Sequence, residues 1–79
     1  MSFVINMEQM SILLNGEKRS FKRGITVQEL LEQFEVPSGT VVVEVNEGIL
    51  PKESHATVKL EEGDRVELVR FVGGGGILF

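Results

Sequence analysis

Cysteine is absent from this 79-residue chain. Its absence excludes disulfides, thiolate nucleophiles and thiolate metal sites together. There is a single histidine, His55, and it sits in a polar stretch. A lone histidine with no cysteine near it reads as a surface residue rather than a ligand or a base. Basic residues number 8 against 12 acidic ones, a net charge of −4. That balance argues against binding nucleic acid or an anionic membrane, both of which need a basic surface to release counterions. No apolar run approaches the ~20 residues of a membrane-spanning helix. The first residues, Met1-Ser2-Phe3-Val4-Ile5-Asn6, have neither the basic start nor the apolar stretch of a signal peptide, so the expected location is the cytoplasm. The length allows one domain with a thin core and leaves no room for a large enclosed active site.

Local patterns are easier to read. Ile12, Leu13 and Leu14 lead into Asn15-Gly16, the strongest short hairpin signal, because a type I′ turn needs positive φ at both central positions. Residues 17–23 follow as an edge strand. Lys18, Ser20 and Lys22 alternate outward and Phe21 points inward. The basic group Lys18, Arg19, Lys22 and Arg23 reads as charge blunting that edge, with an acidic docking partner as the alternative.

Thr26 with Glu29 makes a capping box, and Ile25 with Leu30 makes a hydrophobic staple. Val27, Leu30, Leu31 and Phe34 form one apolar helical stripe, and Pro37 is expected to end the helix. Residues 40–46, rich in valine on both faces, read as an inner strand. Glu47-Gly48 reads as a turn, and Ile49-Leu50-Pro51 as a short segment that proline keeps off any central ladder. Thr57–Leu60 is expected to be a short strand and Arg65–Val72 the last one. The implied order is β-β-α-β-β-β, with one amphipathic helix packed across one face of a mixed sheet.

No side-chain constellation suggests catalysis. Carboxylates have no paired spacing, and no serine sits in a nucleophile elbow. Gly73–Gly76 is not a phosphate loop, because no Lys-Ser/Thr follows and no helix starts there. Four consecutive glycines instead read as a thin flexible arm, or as a frayed terminus. An arm of that kind fits a channel too narrow for a Cβ.

Taken in order, Met10 to Gly16, Gly24 to Leu31, Val43 to Asn46, Pro51, and Leu60 to Gly74 resemble the ThiS family of sulfur carriers in thiamine biosynthesis. The resemblance spans Met10 to about Gly76. It implies an α+β, ubiquitin-like β-grasp fold, with a mixed sheet of four to five strands, one main helix on one face, and the first and last strands parallel at the centre. It divides the chain into an N-terminal extension (1–9), the domain (10–72) and the arm (73–79). It also implies a function in which the protein is not an enzyme but a co-substrate. A ThiF-like adenylating enzyme uses ATP to activate the C-terminal glycine carboxylate, a sulfur donor displaces AMP, and the thiocarboxylate is handed to thiazole synthase. No cofactor is bound by the carrier itself.

On this reading Gly75 and Gly76 form the sulfur-carrying end. Val69, Arg70, Phe71, Val72, Gly73 and Gly74 meet the partners. Phe71 reads either as an apolar anchor or as core. Ile77-Leu78-Phe79 follow the glycines, with three readings open: a trimming protease removes them after Gly76, they are an addition from cloning, or the chain has lost carrier activity and kept a binding role. A carrier for cysteine or molybdopterin synthesis, or a ubiquitin-like interaction module that is never activated, are the alternatives.

Overall fold

In the computed structural model the described residues are 8–72 and 76–78. Strands β1 (Gln9–Leu14) and β2 (Glu17–Lys22) form the first hairpin, and helix α1 (Val27–Gln33) follows. Next come β3 (Val41–Val45), β4 (Gly48–Leu50), β5 (Arg65–Val72) and a short β6 (Gly76–Leu78). The sheet order is β2-β1-β5-β3-β4, with β6 also paired to β5. β1 and β5 run parallel, and every other pairing is antiparallel. This is the β-grasp arrangement expected above, with the last long strand at the centre. No helix among the described residues is long and apolar enough to cross a membrane.

Alternation along each strand builds the core. Met10, Ile12 and Leu14 of β1, Phe21 of β2, Val43 of β3, and Val66 and Leu68 of β5 are buried. They face Val27, Leu30 and Leu31, the buried side of α1. Burying a side chain of this size contributes roughly 1.5–3 kcal/mol, so a few such residues decide whether a domain this small folds.

The helix starts as the sequence implies. Thr26 Oγ1 accepts from the Glu29 N–H at 3.1 Å, and the Thr26 N–H donates to Glu29 Oε1 at 3.0 Å. The next orphan donors are met by a loop: the N–H groups of Val27 and Gln28 donate to the carbonyls of Val58 and His55. His55 is therefore drawn under the helix and is 2% exposed, not the surface residue its polar neighbours suggested.

The helix ends before Pro37 can act. Glu35 takes a left-handed φ of 58°. Its N–H donates to the Glu32 carbonyl, and the Val36 N–H reaches back to the Leu31 carbonyl. These two bonds make a Schellman motif, which normally places glycine at the left-handed position. Phe34 lies at the cap rather than inside the helix and is 39% exposed.

Two further expectations are corrected. The β3–β4 turn is Asn46-Glu47, both at positive φ, with Gly48 already in β4. A two-residue loop of this hand matches the strand twist, and Val45 pairs directly with Gly48. Thr57–Leu60 forms no strand: only an isolated Thr26–Lys59 bridge is present. The backbone there is committed to the helix start, since Val58 accepts from Val27 and the Leu60 N–H donates to Ile25.

Candidate functional site: the end of the central strand

Everything expected to act lies at or beyond the C-terminal end of β5. That strand is fixed from both sides by asparagines in left-handed turns. Asn15 donates its N–H to the Val66 carbonyl and accepts the Leu68 N–H on Oδ1. Asn46 donates its N–H to the Arg65 carbonyl, accepts the Arg65 N–H on Oδ1, and donates from Nδ2 to Asp64. Asp64 also accepts the Glu61 N–H, which closes the turn entering β5. Each asparagine thus shapes a hairpin turn and bonds the neighbouring strand. Sequence reading recognised Asn15-Gly16 as a turn but gave no sign that its side chain would bond β5.

The two faces of β5 differ. Val66 and Leu68 point into the core. Val69 is half-buried on the open face, opposite Val42 of β3. That face also carries Leu13 (38% exposed) and Ile49 (70% exposed). Glu44 and Glu67 stand directly opposite each other on it. Like charges so placed cost stability. Arg65 shares this face, with a surface ion pair to Glu47 at 3.7 Å.

Arg70 has the parity of Leu68 and lies on the helix side. It lines an open groove of about 620 Å³ with Leu14, Arg19, Phe34, Val36 and Leu68. Over the groove, the Arg19 guanidinium sits 5.7 Å from the Phe34 ring centroid and bonds Glu17 at 3.0 Å. Phe34 in turn meets Phe21 edge-on at 6.3 Å. Arg19, read from sequence as edge charge, thereby tethers β2 to the end of the helix.

The structure therefore places Val69 and Arg70 on opposite faces of the sheet. Phe71 and Val72 continue β5, and Phe71 has the same parity as Val69. Gly73, Gly74 and Gly75, and Met1 to Met7 of the expected extension, lie outside the described residues. Gly76 belongs to β6 and pairs with Val72. No group of histidine and carboxylate side chains suited to hold a metal ion occurs among the described residues.

A single helix grasped by a mixed sheet whose first and last long strands are parallel at the centre defines the class of ubiquitin-like β-grasp domains. Residues 12–75 match the model of the ThiS family, so the chain belongs to that family. Sulfur carrier protein ThiS of Bacillus subtilis is 40% identical over 63 residues, 78% of this chain and 96% of that protein. The crystal structure of a thiamine biosynthesis protein (ThiS) from Geobacter metallireducens superposes with a TM-score of 0.73 at 32% identity, covering 84% of this chain and all of that one. A thiazole synthase of Paramagnetospirillum magneticum is 46% identical over 66 residues, 84% of this chain but only 20% of that protein. The chain thus spans about a fifth of that relative.

Proposed function

We propose that this chain is a sulfur carrier for thiazole formation in thiamine biosynthesis, acting as a co-substrate and not as a catalyst. The observation that carries the reading is the extent of the family match, which runs through the whole domain and on to Gly75. The chemistry explains why no catalytic side chains are needed. A carboxylate is a poor electrophile until it is joined to a phosphate leaving group. A ThiF-like partner transfers the adenylyl group of ATP to the terminal glycine carboxylate and releases pyrophosphate. Hydrosulfide released by a donor then attacks the acyl carbon and expels AMP, leaving a thiocarboxylate for thiazole synthase. The likeness of this chain to segments of two thiazole synthases supports that acceptor.

For the carboxylate to belong to Gly76, the Gly76–Ile77 peptide bond has to be hydrolysed, with water added across it. Val69 on the open face, Arg70 on the helix side, and Phe71, Val72, Gly73 and Gly74, which lead to Gly75 and Gly76, form the proposed contact surface for the activating enzyme.

The test is incubation of a chain ending at Gly76 with the activating enzyme, ATP and a sulfur donor. Intact mass should rise by about 16 Da as one oxygen is exchanged for sulfur in the covalent carrier. An unchanged mass would overturn the reading in favour of an interaction module that is never activated.

A further inference from the structure

β5 has two edges. β3 takes one, as far as the Arg70–Val41 pair. The other edge faces β1, but β1 turns away at Asn15. On that edge the Val66 carbonyl and the Leu68 N–H both bond Asn15. Backbone groups alternate sides along a strand. The N–H and C=O groups of Arg70 and Val72 therefore point the same way, beyond the last bond from the β1–β2 hairpin. β6 registers on this stretch: Leu78 opposite Arg70, Ile77 opposite Phe71 and Gly76 opposite Val72.

The sequence of this edge makes its coverage significant. The outer edge at β2 carries the exposed Lys18 and Lys22. The stretch Val69-Arg70-Phe71-Val72 has one charge and no proline. An uncovered apolar edge of that kind invites another strand.

We propose that residues 69–72 form a strand-accepting edge whose built-in occupant is segment 76–78. While that segment is docked, Gly76 is held in a paired strand and is not free to extend; hydrolysis after Gly76 or displacement of the segment opens the edge. A three-residue pairing is marginal on its own, so the occupant is readily removed. The existence of the edge and its occupant stands independently of the carrier reading. Only the consequence for an extended arm rests on that reading.

Amide hydrogen exchange, followed by NMR, tests this on three proteins: the full chain, a chain ending at Gly76, and Leu78→Pro. The proline removes the N–H opposite Arg70. The Arg70 and Val72 amides should exchange about 10-fold faster in both variants than in the full chain, as expected for loss of local protection. Val43 in the core should be unchanged in all three. A close Hα–Hα contact between Phe71 and Ile77 should appear only in the full chain. Equal exchange at Arg70 and Val72 in the three proteins, or no Phe71–Ile77 contact in the full chain, would overturn the proposal. Failure of the carrier reading would leave these rates untouched and show only as a missing mass gain.

Discussion

The side chain of Asn15 accepts a hydrogen bond from the backbone N–H of Leu68 at 2.8 Å, across 53 positions of sequence. Where β1 ends, β5 loses its neighbour, and Asn15 satisfies the first donor that would otherwise be left over. The hairpin turn and the central strand are therefore held by one residue.

Asn15→Gly isolates this bond, because glycine keeps the positive φ of 50° at no steric cost. The Leu68 N–H is partly buried, and leaving it unmet is expected to cost about 1–2 kcal/mol. Urea unfolding measures it. A loss below a few tenths would show that the turn geometry alone matters.

Glu35 and Glu47 both sit in the left-handed region, at φ of 58° and 72°. An L side chain there clashes with its own backbone, at a cost of roughly 1–2 kcal/mol. Glu35→Gly and Glu47→Gly should each stabilise the domain by about 0.5–1 kcal/mol after the greater chain entropy of glycine is counted. Thermal unfolding of the two single variants and the double variant checks both the gain and its additivity, since the sites lie in different turns.

Glu29 is held below the ordinary carboxylate range, first by the backbone N–H of Thr26. The Thr26 hydroxyl and the charges of Lys22 and Lys59 act in the same direction, while desolvation opposes them. A carboxyl with a lowered folded-state pKa adds stability that is present above its unfolded value and is lost as pH falls through the folded one. Glu29→Gln keeps a capping acceptor but cannot titrate. The variant's stability should therefore fall less steeply than the parent's on acidification. Matching slopes in paired denaturation series would sink the idea.

His55 is 2% exposed, and neither ring nitrogen has a hydrogen-bond partner among the described residues. Its backbone carbonyl accepts the Gln28 N–H at the helix N-terminus, so the backbone there is tied to the helix, while the ring is held only by burial. His55→Leu should leave stability unchanged or raise it by about 1 kcal/mol. His55→Ala, which empties the same space, should lower it by about 2 kcal/mol. A leucine variant as weak as the alanine variant would mean that the ring has polar contacts.

Elements whose cause lies within a few residues were legible in the sequence. The Thr26–Glu29 box, the Asn15-Gly16 turn, the buried stripe of Val27, Leu30 and Leu31, and β2 as the charged edge all follow from spacing, and all are found. Readings failed where distant backbone competed. Thr57–Leu60 has strand composition, yet its carbonyl and amide groups serve the helix start. His55 has a polar context, yet its carbonyl is required beneath the helix. Pro37 is a valid stop signal, but the chain had already reversed at Glu35, a residue with no mark of a left-handed cap.

The sequence by itself determined one capped helix against a mixed sheet and the glycine run, because capping, alternation and the absence of side chains are local properties of the chain. Only the tertiary structure decided which edge of β5 remains open and what lies along it. That depends on where β1 turns away, on an asparagine 53 positions from its partner, and on the register that sets Gly76, Ile77 and Leu78 against Val72, Phe71 and Arg70. Such pairings are fixed by the packing of distant strands, and no local pattern encodes them.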